Sequence, residues 1–104
     1  MCEIKNHYVL GEKRPMHLPG AHLDMPALTE KDEFDVSQFA VVNSVDMVAI
    51  SLVRCAENIE TVRDLLRGDA RGEKIKIIAK IENFEGLQNY EEILAAADAV
   101  MIMR

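Results

Sequence analysis

The chain has 104 residues, of which 49% are hydrophobic and 29% charged, a balance typical of one small globular domain or a piece of a larger one. Its formal net charge of −6 argues against a nucleic-acid-binding surface. No apolar run approaches the roughly 18 residues of a membrane span. The first residues lack the hydrophobic core of a signal peptide, so we expect a cytoplasmic protein without a membrane partner.

The cysteines and histidines do not predict a metal centre. Cys2 and Cys55 lie far apart without a CxxC pattern, which favours reduced thiols in a cytosolic setting. His7, His17 and His22 have neither the spacing of a zinc finger nor that of a zinc-protease helix. We therefore expect all five side chains to be scattered loop or surface residues.

The first regular element is predicted after an irregular connector. Prolines and glycines punctuate residues 1 to 28, which are expected to be irregular to β. Thr29 and Asp32 then have the spacing of an imperfect capping box, in which each side chain accepts a hydrogen bond from the other residue's backbone. The apolar positions that follow predict a helix over about residues 30 to 43.

A strand and a second helix are expected next. Residues 46 to 54 form an apolar run typical of a buried strand, with Ser51 and Arg54 near its carboxyl end. Helical spacing then gives one apolar stripe, formed by Ile59, Val62, Leu65 and Leu66. The residues predicted to face water on that helix are Glu60, Arg63, Asp64 and Arg67, and Gly68 is a natural stop.

The central predicted strand, residues 75 to 84, is an Ile-rich run expected to be buried on both faces. Two charged residues, Lys80 and Glu82, interrupt its carboxyl end and share one face because alternate side chains of a strand point the same way. Burying them is costly unless they are paired or bind something. A structural ion pair, a strand end that emerges into solvent, and a binding site all remain open on this pattern.

The last predicted elements are a helix and a third strand. Asn83 is expected to cap the helix, whose apolar stripe is Leu87, Tyr90, Ile93, Leu94 and Ala97. Residues 98 to 103 are predicted to form the strand. This alternation of helices and strands predicts an α/β fold with a parallel sheet, in which chemistry is found at the carboxyl ends of the strands.

Most of the chain resembles the middle of pyruvate kinase. Residues 78 to 86 read I-A-K-I-E-N-F-E-G and are similar to the I-[SA]-K-I-E-N-x-x-G stretch of that family. The other segments that carry the resemblance are, in order, Gly11, Lys13-Arg14, Leu18-Pro19-Gly20, the run 24 to 32, the run 45 to 48, Ser51, Arg54, Glu91 to Leu94, Ala97-Asp98 and the run 100 to 104. The order and spacing of these segments make the likeness specific.

The resemblance implies part of a (β/α)₈ barrel of the TIM type, with about three βα units. Residues 1 to 19 would be the end of a small β domain inserted after the third barrel strand, and residues 20 to 104 the partial barrel. The predicted strands would be the fourth, fifth and sixth of the barrel.

The resemblance also assigns chemistry. The family transfers a phosphoryl group from phosphoenolpyruvate to ADP in the last step of glycolysis, with Mg²⁺ (or Mn²⁺) and K⁺. The lysine matching Lys80 is its catalytic and substrate-binding cation, the glutamate matching Glu82 is a metal ligand, and Ser51 is a weaker substrate-binding candidate. The parent enzyme is expected to be a homotetramer.

Several departures limit what the chain is expected to do. The family's second metal-binding carboxylate follows the arginine matching Arg104, and its potassium ligands lie in other segments. The first helix looks one residue longer than the family pattern. Three strands cannot close a barrel and would leave two strand edges unpaired. We therefore expect the 104-residue chain alone to be weakly folded or self-associating, and catalytically inert.

Two other interpretations remain. The chain could be a non-catalytic module that docks on an intact subunit through its sheet edges. It could also belong to a different barrel enzyme of phosphoenolpyruvate or pyruvate chemistry, such as an aldolase, although Leu18-Pro19-Gly20 and the run 80 to 83 disfavour that alternative.

Overall fold

The computed structural model describes residues 3, 5–22 and 24–103, so Cys2 and Arg104 lie outside the described part of the chain. Regular structure begins with helix α1, Glu30–Phe34, which continues as a π-helix, Asp35–Ala40. The remaining elements are β1 (Met47–Ile50), α2 (Ala56–Arg67), a 3₁₀ turn (Gly72–Lys74), β2 (Lys76–Ile81), α3 (Phe84–Gln88), α4 (Tyr90–Ala96) and β3 (Ala99–Ile102).

The three strands form one parallel sheet in the order β1-β2-β3. Met47 is paired with Lys76 at the start of β1, and Ile78 with Ala99 at the start of β3. The predicted parallel α/β fold is therefore confirmed. Within the described ranges the outer edges of β1 and β3 have no strand partner, and each edge is only four residues long.

The hydrophobic core lies between one face of the sheet and the helices. On β2, Ile77, Ala79 and Ile81 are buried, and the main core residues facing them from the helices are Ile59, Val62 and Leu66 of α2 and Ile93 of α4. On the other face of β2, Ile78 and Lys80 are only half-buried. The prediction that β2 is buried on both faces is thus wrong for the described chain, since the helices cover one face alone.

The first helix departs from its predicted regularity. Its capping box is present: the Asp32 N–H donates to Thr29 Oγ1 at 3.2 Å, and the Thr29 N–H donates to Asp32 Oδ2 at 2.8 Å. After Phe34 the helix widens to π geometry, which takes up extra residue length within one turn. As a result Val36 and Ala40 are buried, while Phe39 is 63% exposed.

The predicted last helix is divided in two at Asn89. Asn83 caps α3 as expected, because its Oδ1 accepts a hydrogen bond from the Gly86 N–H at 2.7 Å. The break changes which side chains face the core. Ile93 is fully buried, but Leu87 and Leu94 are 63% and 49% exposed, so these two positions of the predicted stripe are wrong.

The N-terminal connector has no helix or strand among residues 5–22, in agreement with its predicted irregular character. It is mostly exposed, and it approaches the folded part through the His22 Nδ1 atom, 3.0 Å from Glu85 Oε1. None of the helices in the described residues is long and apolar enough to cross a membrane.

Candidate functional site at the carboxyl end of the sheet

The two charged residues of the central strand lie side by side at its carboxyl end. The Lys80 ammonium nitrogen is 3.1 Å from Glu82 Oε1, and the two side chains are 20% and 19% exposed. Their shared face follows from strand alternation, as predicted. Glu82 lines an open cavity of about 700 Å³ beyond the ends of the strands, so the pair is not sealed in a dry interior.

Ser51 joins this pair from the neighbouring strand. The parallel register places Ile50 beside Ala79, so the residue after each comes to the same edge of the sheet. There the Lys80 ammonium donates a hydrogen bond to Ser51 Oγ at 2.7 Å. All three predicted site residues are therefore brought together, and Ser51 remains exposed to the cavity.

A backbone group that the sequence did not predict completes the cluster. The Leu52 N–H donates to Glu82 Oε2 at 2.8 Å. Leu52 has a φ of 54°, in the left-handed region, where a non-glycine residue costs about 1–3 kcal/mol. A leucine in the sequence does not predict a left-handed backbone, because leucine has no preference for that region.

The loop of residues 51–55, between β1 and α2, is held by polar contacts from the helices. The Arg54 N–H donates to Asn58 Oδ1 at 3.0 Å, and the Arg54 carbonyl accepts from Asn89 Nδ2 at 2.8 Å. Just after the loop, the Ala56 N–H donates to Glu92 Oε1 at 3.1 Å. Sequence reasoning missed these supporting residues, although a polar residue at the buried Asn58 position of α2 was an available signal.

Gly86 fixes the loop by close approach of backbone to backbone. A Cβ atom at this position would lie 2.5 Å from the Val53 carbonyl oxygen. Only glycine therefore allows α3 to pack this closely against the loop. The Arg54 guanidinium donates to the carbonyl of Met25 and ties the connector to the loop.

The cluster offers positive charge and one hard-oxygen ligand. An ammonium has three donors, of which Ser51 and Glu82 engage two, so Lys80 keeps one for a further acceptor. A carboxylate has about four lone-pair sites. Glu82 uses two of them toward Lys80 and Leu52.

Glu82 suits a divalent cation as one ligand among several. Mg²⁺ and Mn²⁺ prefer carboxylate oxygens, and Mg²⁺ commonly takes one or two carboxylates and completes its shell with water and substrate oxygens. No group of three or more potential His, Cys, Asp or Glu ligands exists among the described residues. Glu82 thus fits such an ion without forming a complete site by itself.

A second charged cluster lies at the amino end of the same strand. Asp98 Oδ2 accepts from the Ile77 N–H at 3.0 Å, and Asp98 Oδ1 accepts from Lys76 Nζ at 3.2 Å. The Arg63 guanidinium is 3.5 Å from Asp98 Oδ2 and donates to the Ala96 carbonyl at 2.6 Å. The prediction that Arg63 faces water is therefore wrong, since its guanidinium contacts Asp98 and the Ala96 carbonyl. The Ile77 hydrogen bond first, and then the two cations, lower the pKa of Asp98.

The fold places the chain in the class of parallel α/β proteins. A lysine, a carboxylate and a hydroxyl meet at the carboxyl edge of its sheet, the edge at which such folds usually have their binding sites. Comparison with known proteins narrows the class. The family model described as "Pyruvate kinase, barrel domain" matches residues 1–104. The chain belongs to the pyruvate kinase family, as the sequence resemblance indicated, and the alternative of a different barrel enzyme is wrong.

Individual relatives agree with the family assignment. The chain is 41% identical over 104 residues to a pyruvate kinase of Dictyostelium discoideum, covering all of this chain and 20% of that protein. It is 40% identical over 103 residues to a cytosolic pyruvate kinase isozyme of Solanum tuberosum, covering 99% of this chain and 20% of the relative. The chain thus spans about a fifth of the length of the curated relatives it matches.

Proposed function

We propose that this chain supplies part of the active site of a pyruvate kinase, which transfers a phosphoryl group from phosphoenolpyruvate to ADP and yields pyruvate and ATP in the last step of glycolysis. One observation carries the proposal. In a chain of this family, the Lys80 ammonium lies 2.7 Å from Ser51 Oγ and 3.1 Å from Glu82 Oε1 at the carboxyl edge of a parallel sheet. The cytosolic isozymes among the relatives support a cytoplasmic location.

Lys80 is the proposed catalytic residue. Phosphoryl transfer depends mainly on positioning and on fixed positive charge near the equatorial oxygens of the transferred group. Lys80 is four-fifths buried and is oriented by Ser51 and Glu82, so its charge is less screened than that of a surface lysine. Its remaining N–H donor would bind a phosphate oxygen, and Ser51 would contribute to substrate binding beside it.

Glu82 is the proposed metal ligand. It would hold Mg²⁺, or Mn²⁺, through the lone pairs that Lys80 and Leu52 do not use. When bound, such an ion offsets negative charge on the substrate oxygens. Glu82 also contacts the Lys80 ammonium, so one carboxylate would position both Lys80 and the bound metal ion.

The wider architecture is proposed from family membership. Residues 20–104 would form about three βα units of a (β/α)₈ barrel, and residues 1–19 the end of an inserted β domain. The potassium ligands would lie in other segments of the complete enzyme, which we propose to be a homotetramer.

A substitution at Lys80 tests the function. In the protein expressed from its complete coding sequence, a lactate dehydrogenase-coupled assay should detect pyruvate formation, and Lys80→Met should lower kcat by about 10²- to 10³-fold because a charge aimed at the transition state is lost. Lys74→Met is the matched control, since Lys74 is exposed on the 3₁₀ turn. Unchanged turnover in Lys80→Met, or no turnover in the parent, would contradict the proposal.

A docking module is the second candidate, favoured by the outer edges of β1 and β3, which lack strand partners in the described residues. The 104-residue polypeptide alone should show no turnover, because a sheet of three strands cannot close the proposed barrel around the site. Binding of that polypeptide to a catalytically complete subunit in sedimentation velocity, without turnover of its own, would favour this candidate.

A further inference from the structure

Leu52 contacts Glu82 through its backbone N–H. We propose that the Leu52 amide is a positioning group that orients the Glu82 carboxylate toward a divalent cation. The inference rests on the proposed role of Glu82 as a metal ligand. It implies that metal binding also requires a left-handed backbone conformation at residue 52, which a side-chain motif does not show.

The geometry at Glu82 supports a positioning role. A glutamate has a flexible side chain, but here Lys80 contacts Oε1 at 3.1 Å and the Leu52 N–H donates to Oε2 at 2.8 Å. The two contacts act on different oxygens and therefore fix the rotation of the carboxylate plane as well as its position. Groups that hydrogen-bond to a metal ligand typically change metal affinity by about 10- to 100-fold when they are lost.

The conformation of Leu52 depends on its surroundings. Leu52 is 42% exposed, so burial of this residue does not explain its φ of 54°. The following residues are instead fixed from outside the loop, by Gly86 against the Val53 carbonyl and by Asn58 and Asn89 on the Arg54 backbone. These contacts hold the loop where the Leu52 N–H points at Glu82, at the cost of a strained residue.

Substitutions at residue 52 distinguish a role of its backbone conformation from a role of its side chain. Gly and Asn accept the left-handed region more readily than Ala, and β-branched residues accept it least. In the protein expressed from its complete coding sequence, binding of Mn²⁺ alone, measured by electron paramagnetic resonance of the free ion, should weaken about tenfold in Leu52→Val relative to Leu52→Gly. A role for the leucyl side chain predicts the reverse order, since Val preserves more of it.

A matched control removes the effect of strain itself. Ser44 also has a left-handed backbone, with a φ of 51°, but lies exposed before β1 and away from Glu82. Ser44→Val should lose stability comparably and leave Mn²⁺ affinity unchanged. If Leu52→Val does not fold, the milder pair Leu52→Asn and Leu52→Ala is compared, and the Asn variant should bind about threefold more tightly.

The outcomes distinguish this inference from the proposed function. Glu82→Gln should weaken Mn²⁺ binding by at least as much as Leu52→Val. Equal affinity of the Val and Gly variants, or of the Asn and Ala variants, with a clear loss in Glu82→Gln would overturn the role of the Leu52 amide alone. Unchanged affinity in Glu82→Gln would overturn Glu82 as a ligand, and the role of Leu52 with it.

Discussion

Both ends of strand β2 carry a carboxylate that accepts a backbone N–H and contacts a lysine, yet the two clusters have different surroundings. At the amino end, Asp98 lies between the Ile77 N–H, Lys76 and Arg63, and it joins β2, α2 and the segment before β3. At the carboxyl end, Glu82 lies between the Leu52 N–H and Lys80 and lines a cavity of about 700 Å³.

The difference concerns what each carboxylate has left to offer. Asp98 has three partners in the protein, which come from β2 and α2, so it joins these elements to the segment before β3. Glu82 has two partners and faces open space, and its backbone partner adopts a strained conformation. Similar side-chain chemistry therefore joins elements of the fold at one end of the strand and lines a cavity at the other, where we propose that it binds a cation. Barrel folds divide stability and function between their two faces in the same way.

Two glycines provide the largest expected test of this comparison. A Cβ at Gly72 would lie 2.1 Å from the Leu66 carbonyl oxygen, and one at Gly86 would lie 2.5 Å from that of Val53. Each Gly→Ala change should lower the free energy of unfolding by about 1–3 kcal/mol, measured by urea denaturation, because backbone must shift. Only Gly86→Ala should also weaken Mn²⁺ binding, since Gly86 supports the loop 51–55.

Gly68→Ala is the control for this pair. Its Cβ would be 3.5 Å from the Leu65 carbonyl oxygen, an ordinary contact, and its φ is −66°. Stability should therefore be retained or rise slightly. Weaker Mn²⁺ binding in Gly72→Ala as well would show that the two ends of the sheet are not independent.

Removal of the Asp98 side chain is the second test. Asp98→Ala leaves the Ile77 N–H without its acceptor and should cost about 1–2 kcal/mol of stability. Amide hydrogen exchange at Ile77 should accelerate accordingly, while Mn²⁺ affinity stays unchanged. Asp64→Ala, which breaks an exposed pair with Arg67, is the control and should scarcely affect either measurement. A loss of Mn²⁺ affinity in Asp98→Ala would contradict a purely structural role.

The acid dependence of stability is the smallest expected effect. The pKa of Asp98 is lowered from 3.8, chiefly by the Ile77 N–H, so folding favours the ionised form. Its contribution is complete above the unfolded-state pKa and is lost as the pH falls through the lower folded-state pKa. The free energy of unfolding of the parent and of Asp98→Asn would be measured by urea denaturation at successive pH values. The difference between the two should shrink as the pH falls through that window. A constant difference would contradict the assignment.

Local sequence rules predicted the helix caps better than the irregularities within the helices. Thr29, Asp32 and Asn83 formed the expected caps because a cap depends on neighbours within three residues. The same rules extended two helices too regularly: the first widens after Phe34, and the last breaks at Asn89. Propensity and periodicity do not resolve such local departures, because they are decided by how the helix meets the rest of the core.

The sequence predicted which three side chains form the candidate site, but not the backbone and side-chain contacts that hold them. The sequence by itself determined that Lys80 and Glu82 share a face, since the two-residue period of a strand requires it. Only the tertiary structure decided that Ser51 meets Lys80, that Leu52 turns its N–H to Glu82, and that Arg63 reaches Asp98. These contacts join residues about 30 positions apart, and strand register and loop packing, rather than local preference, bring them together.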